Sequence, residues 1–364
     1  MTERVGFIGL GVMGAPMARH LLAAGHALTV HSRSAPPVDA LVAEGATRAS
    51  TPAEVASASD VVITMVPDTP DVELVLFGEA GVAEGAAAGS LVIDISTIDP
   101  IRTRAFAQRL GADDVAMLDA PVSGGQIGAE AGTLSIMVGG PDEAFARARP
   151  LFEATGSTIV HVGPSGAGQV TKACNQLVIA SAVEAVGEAF VLAAKAGVDP
   201  AKVREALLGG FASSKVLDLH GQRMLDHAFE PGFRSALMAK DGRIVVSAAD
   251  GLGAPIPGFR AVAERLEAMI PAGRGDLDYA ALVTLLEDEA GLALGDGRTG
   301  SSPTGTSSTT IPRAWTSTRS GPSCRPRRTG GRTARARRSS GRCARLRARS
   351  ACTTRGGRWA SHAS

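Results

Sequence analysis

Three short stretches of the chain combine residue types at spacings that could do chemistry. The first is the glycine-rich loop Gly9-Leu10-Gly11-Val12-Met13-Gly14, which directly follows a strand-like run at 5–8. In the pattern G-x-G-x-x-G, the first glycine permits a tight turn, the second lets the backbone approach a pyrophosphate, and the third allows close helix–strand packing. The start of the following helix then faces the phosphate charge. Because strand, loop and helix occur in the required order, the sequence predicts a dinucleotide site rather than an ordinary glycine-rich turn.

The segment His31-Ser32-Arg33-Ser34 follows the second strand-like run, at 27–30. A site that prefers NAD usually has Asp or Glu here to bind the ribose hydroxyls, but no acid occurs at 31–34. Arg33 is instead placed to meet the 2′-phosphate of NADP. We therefore expect Ser32, Arg33 and Ser34 to contact the cofactor, and NADPH to be preferred over NADH. The alternative is that Arg33 is a solvated loop charge and that the protein does not discriminate between the two cofactors.

A second loop, Ser123-Gly124-Gly125, comes shortly after the strand-like run at 116–118. Free backbone N–H groups beside a serine hydroxyl can receive a carboxylate. By itself, however, a Ser-Gly-Gly sequence is more often only a turn. This loop is therefore a candidate substrate-binding site that depends on what lies near it.

Lys172, Asn175 and Gln176 are spaced i, i+3 and i+4, so they share one face of a predicted helix. An ammonium there would stabilise the negative charge that forms on oxygen when an aldehyde accepts a hydride, and it would supply the proton. The two amides would position the lysine and the substrate. A salt bridge at the start of the helix, with surface amides, is the alternative on spacing alone. Cys174 points off this face, and we expect it to be a packing residue.

The elements that must position these groups follow from the hydrophobic periodicity. Through residues 1–163, helical patterns such as Met13, Met17, Leu21 and Leu22, closed by Gly25, lie between short apolar runs. The strand-like runs are 5–8, 27–30, 61–66, 91–95, 116–118, 134–138 and 159–162. Such alternation predicts an α/β Rossmann domain, with a doubly wound and mostly parallel sheet.

Residues 164–294 have a different texture, which predicts an all-α C-terminal domain. The segment 169–196 contains no proline and one glycine, and it would form a helix of about 40 Å. Since this helix is apolar on nearly all sides, we expect it to be buried against other helices or a second subunit. Further helices are predicted at 200–209, 214–227, 237–250, 257–270 and 278–293.

The segment 295–364 has no such periodicity and hardly any aliphatic residues, so we predict a disordered basic tail. After position 295 there are 16 Arg and one acidic residue, which leaves 21 basic and 35 acidic residues before it. The acidic body argues against a nucleic-acid surface there. The tail is either an arm for an anionic partner or the product of a frameshift in a GC-rich gene, and we assign it no role.

Cysteine usage and hydropathy predict the cytoplasm. Cys174 is the only cysteine before the tail, so the body cannot form an internal disulfide. A signal peptide is not expected, because residues 4–8 already resemble a strand. The longest apolar stretch, 177–194, contains Glu184 and Glu188, so no membrane span is expected either.

Several separate motifs, in this order, resemble those of the β-hydroxyacid dehydrogenase family, over roughly residues 3–294. They are GFIGLGVMG, DAPVSGG, EAGTLSIMVGG, GAGQVTKACNQ, FEPGF and AKDG. The resemblance implies a Rossmann domain and a helical domain with the active site between them, in a homodimer or homotetramer. It also implies that Lys172 is the acid–base residue, that Ser123, Gly124 and Gly125 hold a substrate carboxylate, and that Asn175 and Gln176 orient the substrate.

The same resemblance implies further cofactor contacts. Met65, Val66, Pro67 and Thr97 would line the cofactor, and Lys240 would close over it. We expect no metal, because the seven His residues are scattered without partners at ligand spacing.

The stretches GTLSIMVGG, TKACNQ and GGFASSKVLD resemble one branch of the family in particular. That branch reduces 2-hydroxy-3-oxopropanoate (tartronate semialdehyde) to glycerate, which implies NADPH-dependent reduction of a small carboxylate-bearing aldehyde. Enzymes acting on 3-hydroxyisobutyrate, succinic semialdehyde or glyoxylate remain alternatives. An alternative from another class is a non-catalytic NADP(H)-binding protein with a nucleic-acid-binding tail, but the combination of Lys172, Ser123 and Arg33 argues against it.

Two positions depart from the family pattern. Gly242 stands where a leucine usually follows Lys-Asp, and Tyr279-Ala280 replaces a His-Ser pair. Neither position touches the proposed chemistry, but both are expected to affect how the last helices pack. The 69-residue tail is also foreign to the family.

Overall fold

The computed structural model describes residues 3–295 of the chain. The basic tail that the sequence predicts to be disordered lies, from residue 296 onward, outside the described residues. Within 3–295, one sheet contains β1 (Arg4–Ile8), β2 (Ala27–His31), β3 (Thr47–Arg48), β4 (Val61–Thr64), β5 (Leu91–Asp94), β6 (Ala116–Asp119), β7 (Val122–Ser123), β8 (Leu134–Gly139) and β9 (Gly156–Gly163). Its order is β3-β2-β1-β4-β5-β6-β8-β7, with β9 also paired to β8.

The sheet is mostly parallel, as the sequence predicts. Parallel pairs run from β3 through to β6 and recur between β8 and β9, whereas β8 is antiparallel to β6 and β7. The central strands β4 and β5 are buried along their whole length, and they are continuous apolar runs closed by a polar residue. Such runs are typical of parallel strands that helices cover on both faces.

Eight helices of the N-terminal part cover the two faces of the sheet. They are α1 (Gly14–Ala23), α2 (Ala35–Ala43), α3 (Pro52–Ser57), α4 (Thr69–Phe77), α5 (Val82–Gly85), α6 (Pro100–Gly111), α7 (Gly125–Ala131) and α8 (Asp142–Thr155). Successive strand residues enter opposite cores: Phe7 packs with Met17, and the next residue, Ile8, packs with Val55 and Phe106. Two cores, one on each face, define a doubly wound α/β domain, which confirms the predicted fold class.

The C-terminal part of the described chain is helical, also as predicted. It contains α9 (Ala167–Lys195), α10 (Pro200–Leu208), α11 (Lys215–Leu225), α12 (Ser235–Leu252), α13 (Pro257–Ala268), a 3₁₀ helix (Tyr279–Leu282) and α14 (Val283–Ala290). A third core, which includes Phe190, Met224 and Leu266, holds these helices together. The predicted domain limits, 1–163 and 164–294, stay a prediction, although the last strand ends at Gly163.

The helix α9 spans 29 residues, or about 43 Å, and is buried on one face only. Val178 and Leu192 are 64% and 71% exposed, so the other helices of the described chain cover only one side of α9, and its burial against a second subunit stays a prediction. Cys174 is exposed too, which corrects the expectation that it packs. By length and hydropathy α9 would qualify as a membrane span. One face of α9 is nevertheless buried, carries Lys172 and packs in the helical core.

The two departures from the family pattern are accommodated by packing. A Cβ added to the buried Gly242 would lie 3.5 Å from Leu266 Cδ1, which is ordinary van der Waals contact, so α13 leaves room there for a Cβ but covers the space that a longer side chain would enter. Tyr279 is buried, and its hydroxyl lies 2.6 Å from Nε2 of His220. The last predicted helix, 278–293, is in fact a 3₁₀ turn followed by α14, because Asp278 caps the 3₁₀ turn through the N–H of Ala280.

Candidate active site

The glycine-rich loop fits the pyrophosphate of a dinucleotide. Gly9 has a φ of +99°, and a Cβ there would lie 2.2 Å from the carbonyl oxygen of Met65, so only glycine makes this turn. A Cβ on Gly14 would lie 2.0 Å from the carbonyl oxygen of Gly9, which explains the close start of α1. Gly11 is exposed and would meet nothing within 4 Å, so a ligand can approach its backbone. Within residues 3–295, the N–H groups of Gly11, Val12 and Met13 donate no hydrogen bond, which leaves them for phosphate oxygens.

The other residues of this loop differ in exposure. Leu10 is buried and donates its N–H to Ser32 Oγ at 3.4 Å, so it supports the loop from inside. Val12 is 69% exposed and Met13 precedes α1. The N–H of Val66 donates to Ser96 Oγ at 3.0 Å, and this bond fixes the end of β4 beside the loop. The structure therefore brings the β1 and β4 ends together, as a bound dinucleotide requires.

Arg33 extends from the end of β2, with 82% of its side chain exposed. Ser34 is likewise exposed and precedes α2. The Arg33 Nη1 lies 3.6 Å from Oδ1 of Asp71, an acid in α4. No acid lies next to Arg33 in the sequence, but the fold supplies one from a different segment.

Lys172 is the most unusual side chain of the region, because it is a lysine with only 8% of its surface exposed. In the described part of the chain, its ammonium makes no hydrogen bond. Burial lowers the pKa of Lys172 below the ordinary value of a lysine; the carboxylate of Asp241 acts in the opposite direction, and the nearby Lys240 lowers it further. A buried amine with a lowered pKa gives up its proton more readily than an ordinary lysine does.

Asp241 connects the polar groups around Lys172. Its Oδ2 accepts a hydrogen bond of 2.6 Å from Gln176 Nε2, and its Oδ1 lies 2.8 Å from the Lys240 ammonium. Asn175 in turn donates to Gln176 Oε1 at 2.8 Å. The predicted face of α9 and the AKDG motif of α12 thus meet at one carboxylate.

Lys240 also joins the two domains. Its ammonium donates to the carbonyl oxygen of Thr97 at 2.7 Å and to that of Pro67 at 3.1 Å. Both carbonyls follow the carboxyl ends of parallel strands, where ligands bind in doubly wound folds. Lys240, Thr97 and Pro67 were each expected at the cofactor, and the structure places the three in direct contact.

The first turn of α9 is fixed to the sheet from two sides. Asp119, at the end of β6, accepts hydrogen bonds from the N–H of Gly166 at 2.7 Å and from that of Gln169 at 2.9 Å. The Gln169 side chain donates to the carbonyl of Ser96 at 2.7 Å and accepts from the N–H of Ile98 at 3.1 Å. These four bonds hold the helix one turn before Lys172.

The Ser123-Gly124-Gly125 loop begins four residues after Asp119, at the start of α7. Gly124 and Gly125 have φ values of +132° and +61°, which only glycine adopts easily. Both are exposed, and the Gly124 N–H and Ser123 hydroxyl make no hydrogen bond within residues 3–295. The loop is therefore a free receptor at the same edge of the sheet as α9. Within the described chain, however, no hydrogen bond joins it to Lys172.

Asp94, at the end of β5, is a buried polar group beneath this edge. Its Oδ1 accepts hydrogen bonds from Thr64 Oγ1 at 2.8 Å and from the N–H of Ser96 at 3.2 Å, whereas its Oδ2 has no partner in the described residues. Burial raises the pKa of Asp94 to about 6, against the effect of these hydrogen bonds.

Sequence patterns alone predicted no role for Asp241, Gln169, Asp119 or Asp94. A signal existed for two of them, because Asp94 and Asp119 each end an otherwise apolar strand-like run. Asp241 stands inside the quoted AKDG motif, but only the fold shows that it meets α9. For metals, residues 3–295 contain no group of three or more His, Cys, Asp or Glu side chains that could hold an ion.

Comparison with known families gives two matches in tandem. Residues 4–163 match the NAD-binding domain of 6-phosphogluconate dehydrogenase, and residues 166–286 match the NAD-binding domain of NADP-dependent 3-hydroxyisobutyrate dehydrogenase. These matches cover both the glycine-rich loop and Lys172.

Individual relatives agree with the family match. The chain is 47% identical to 2-hydroxy-3-oxopropionate reductase of Escherichia coli K12, over 78% of this chain and 97% of that protein. It is 38% identical to 3-hydroxyisobutyrate dehydrogenase of Pseudomonas aeruginosa, over 78% of this chain and 98% of that protein. The solved structure of Mycobacterium tuberculosis 3-hydroxyisobutyrate dehydrogenase with L-serine superposes with a TM-score of 0.73, at 34% identity, over 79% of this chain and 99% of that one.

Proposed function

The chain belongs to the 3-hydroxyisobutyrate dehydrogenase family of NAD(P)-dependent oxidoreductases, and we propose that it reduces 2-hydroxy-3-oxopropanoate to glycerate with NADPH. The observation that carries this proposal is the buried Lys172, on the face of α9 whose Gln176 contacts Asp241, where the two domains meet. The relative at 47% identity, whose name states this reaction, supports the choice of substrate.

The dihydronicotinamide, when bound, supplies the hydride that forms the new C–H bond at the aldehyde carbon. As the carbonyl π pair moves onto oxygen, the Lys172 ammonium stabilises the growing negative charge and donates its proton, which completes the hydroxyl. Lys172 is then a neutral amine. Burial favours this neutral form, as its lowered pKa indicates, so the environment assists proton release.

Asp241 and Gln176 position the proton donor. The Asp241 carboxylate opposes the lowering of the Lys172 pKa and so favours the protonated form, which is the one that donates. Gln176 holds this carboxylate at 2.6 Å, and Lys240 holds its other oxygen at 2.8 Å. In the reverse direction, neutral Lys172 would accept the hydroxyl proton of a hydroxyacid.

Substrate binding is assigned to the free loop of Ser123, Gly124 and Gly125. The Ser123 hydroxyl and the Gly124 N–H suit a carboxylate, because such backbone concavities bind anions. Arg33 supports the choice of NADPH, since its exposed guanidinium can pair with a 2′-phosphate in a bidentate way. Cofactor groups would be held by the glycine-rich loop and by Lys240.

The proposal is tested with a panel of aldehyde acids and hydroxyacids, each assayed with both nicotinamide cofactors. We expect kcat/KM to be highest for 2-hydroxy-3-oxopropanoate with NADPH. Succinic semialdehyde, glyoxylate and 3-hydroxyisobutyrate are the competitors in the panel. A higher kcat/KM for any of these would replace the substrate, and a strong NADH preference would remove the cofactor assignment.

We also propose that the protein is a homodimer or homotetramer joined through the outer face of α9. That face carries the exposed side chains of Val178, Ala185 and Leu192, at helical spacing. A cavity of about 220 Å³ opens beside it, between α9 and α13. An apolar helical stripe of this length is usually covered by a partner.

Size-exclusion chromatography with light scattering tests this assembly. Ala185→Glu should shift the protein to monomer, and Ala201→Glu, an equally exposed site on α10, should not. A wild-type monomer would refute the proposal.

For the compartment we propose the cytoplasm, because Cys174, the cysteine of the described chain, is a free thiol.

A further inference from the structure

Arg33 and Asp71 meet across the entrance to the cofactor loop. The strands β2 and β4 flank β1, and Ile8, the last residue of β1, pairs with His31 on one side and Thr64 on the other. Arg33 comes two residues after His31, and Asp71 lies in the first turn of the helix that follows β4. The ion pair between them therefore lies over the carboxyl end of β1, where the glycine-rich loop starts.

This location is the adenosine side of a Rossmann site, because the ribose of the cofactor binds at the end of the second strand. We propose that Asp71 is a cofactor-selectivity residue, which competes with the 2′-phosphate of NADPH for Arg33. The proposal rests on the proposed use of Arg33 as the 2′-phosphate ligand. It assigns a role to an acid that the segment 31–34 does not contain.

The contact between Arg33 and Asp71 is weak enough for a phosphate to displace it. Arg33 Nη1 and Asp71 Oδ1 are 3.6 Å apart, beyond ordinary hydrogen-bond distance, and 82% of the Arg33 side chain is exposed. Such an exposed pair contributes little stability. A phosphate, with nearly two negative charges and three acceptor oxygens, binds a guanidinium more strongly than one distant carboxylate does.

Asp71 is favoured where it is even when Arg33 turns to the phosphate. It lies in the first turn of α4, where the positive end of the helix favours a carboxylate, and only 31% of its side chain is exposed. Its charge then stands near the 2′-phosphate without a partner and repels it. NADH has no 2′-phosphate, so it leaves the Arg33–Asp71 pair in place. Asp71 therefore lowers the ratio of NADPH affinity to NADH affinity below the value that Arg33 alone would give.

The test measures nucleotide binding rather than turnover. Adenosine 2′,5′-bisphosphate and ADP are titrated into the full chain by calorimetry, at pH 8, where the phosphates are dianionic. Asp71→Asn should bind the bisphosphate about three- to tenfold more tightly than the wild type, while its affinity for ADP stays the same. The gain should shrink at high salt, because the repulsion is between exposed charges.

Glu73→Gln is the matched control. Glu73 lies on the same helix and makes its ion pair with Arg102, at 2.6 Å, rather than with Arg33. The substitution removes the same charge and one surface ion pair, so it should change the affinity ratio less than twofold. An equal gain in bisphosphate affinity in both variants would mean that the gain comes from the change in net charge, and it would refute a specific role of Asp71.

Arg33→Gln separates this inference from the proposed cofactor. If Arg33→Gln weakens bisphosphate binding and Asp71→Asn leaves it unchanged, the role of Asp71 is refuted while the NADPH assignment stands. If neither variant alters the ratio of the two affinities, both fail. Tighter binding in Asp71→Asn, together with weaker binding in Arg33→Gln, supports the competition.

Discussion

Two buried polar clusters in the helical part of the molecule differ in how their charged side chains are paired. We call them the Lys172 cluster, which also contains Gln176, Lys240 and Asp241, and the Asp278 cluster, which also contains His220, Arg223 and Tyr279. Asp278 is 1% exposed and accepts hydrogen bonds from three backbone N–H groups, and Arg223 lies 2.6 Å from it. In the Lys172 cluster the Asp241 carboxylate pairs with the Lys240 ammonium at 2.8 Å, and within residues 3–295 the Lys172 ammonium has neither a hydrogen-bond partner nor an ion pair.

The difference separates a structural cluster from a reactive one. Burial raises the pKa of Asp278, but the His220 ring, the backbone N–H donors and Arg223 outweigh it and bring this pKa to about 2. For Lys172 burial dominates, and its pKa is lowered. A buried charge that is fully paired stabilises the fold, whereas one left without partners is available to a ligand.

The largest effect is expected for Lys172→Met, which keeps the volume and removes the ammonium. Turnover should fall by about 10²- to 10⁴-fold, the usual contribution of a positioned acid. The free energy of unfolding should stay the same or rise, because the cost of burying a charge disappears. Steady-state kinetics and urea denaturation measure the two quantities. Near-normal turnover, or a large loss of stability, would end the distinction between the clusters.

Asp278→Asn should give the opposite pattern. Removing a carboxylate from buried, paired donors should lower the free energy of unfolding by about 3 kcal/mol, while turnover of the folded protein changes little. Because the folded pKa of about 2 lies below the ordinary 3.8, the contribution of Asp278 is complete above pH 3.8 and is lost as the pH falls through 2. Denaturation curves between pH 2 and 7 should lose this dependence in the variant. A stable variant with impaired turnover would reverse the assignment.

Asp241→Asn sharpens the comparison through a pH profile. The rate of aldehyde reduction should fall as the pH rises through the Lys172 pKa, because the protonated form donates. Asp241 raises that pKa, so its neutral replacement should move the falling limb to lower pH, by about one unit. Asp278→Asn is the control and should leave the limb in place. A limb that stays or moves upward in Asp241→Asn would exclude Asp241 as the group that tunes Lys172.

The smallest effect is expected for Tyr279→Phe. This change removes the 2.6 Å contact with His220 and leaves the buried ring, so it should cost about 1 kcal/mol of stability. Turnover and the pH limb should be those of the wild type. A change in either would mean that the Asp278 cluster takes part in the reaction.

Much of the fold could be predicted from periodicity, because buried parallel strands are continuous apolar runs. The runs at 61–66 and 91–95 correspond to β4 and β5. The strands β3 and β7 were missed, since each has two residues and no pattern can form over that length. The antiparallel pairing of β8 with β6 also has no periodic signal in the sequence.

The candidate site was predictable only where its residues are neighbours in sequence. The spacing of Lys172, Asn175 and Gln176 indicated one helical face, and glycine spacing indicated the loop at 9–14. Asp241 and Asp71 could not be placed, because each meets its partner from a segment far along the chain. Long-range charge pairs depend on how the sheet order brings strand ends together, which single-sequence patterns do not contain.

Because α9 is attached to the sheet at its first turn, the number of residues between this attachment and Lys172 determines where the ammonium points. Asp119 grips the helix at Gly166 and Gln169, and Lys172 follows within one turn. An insertion of one residue between Gln169 and Lys172 would rotate the ammonium by about 100° around the helix axis, away from the buried face of α9. Such a change would alter no side chain, yet it would turn the amine out of the cleft.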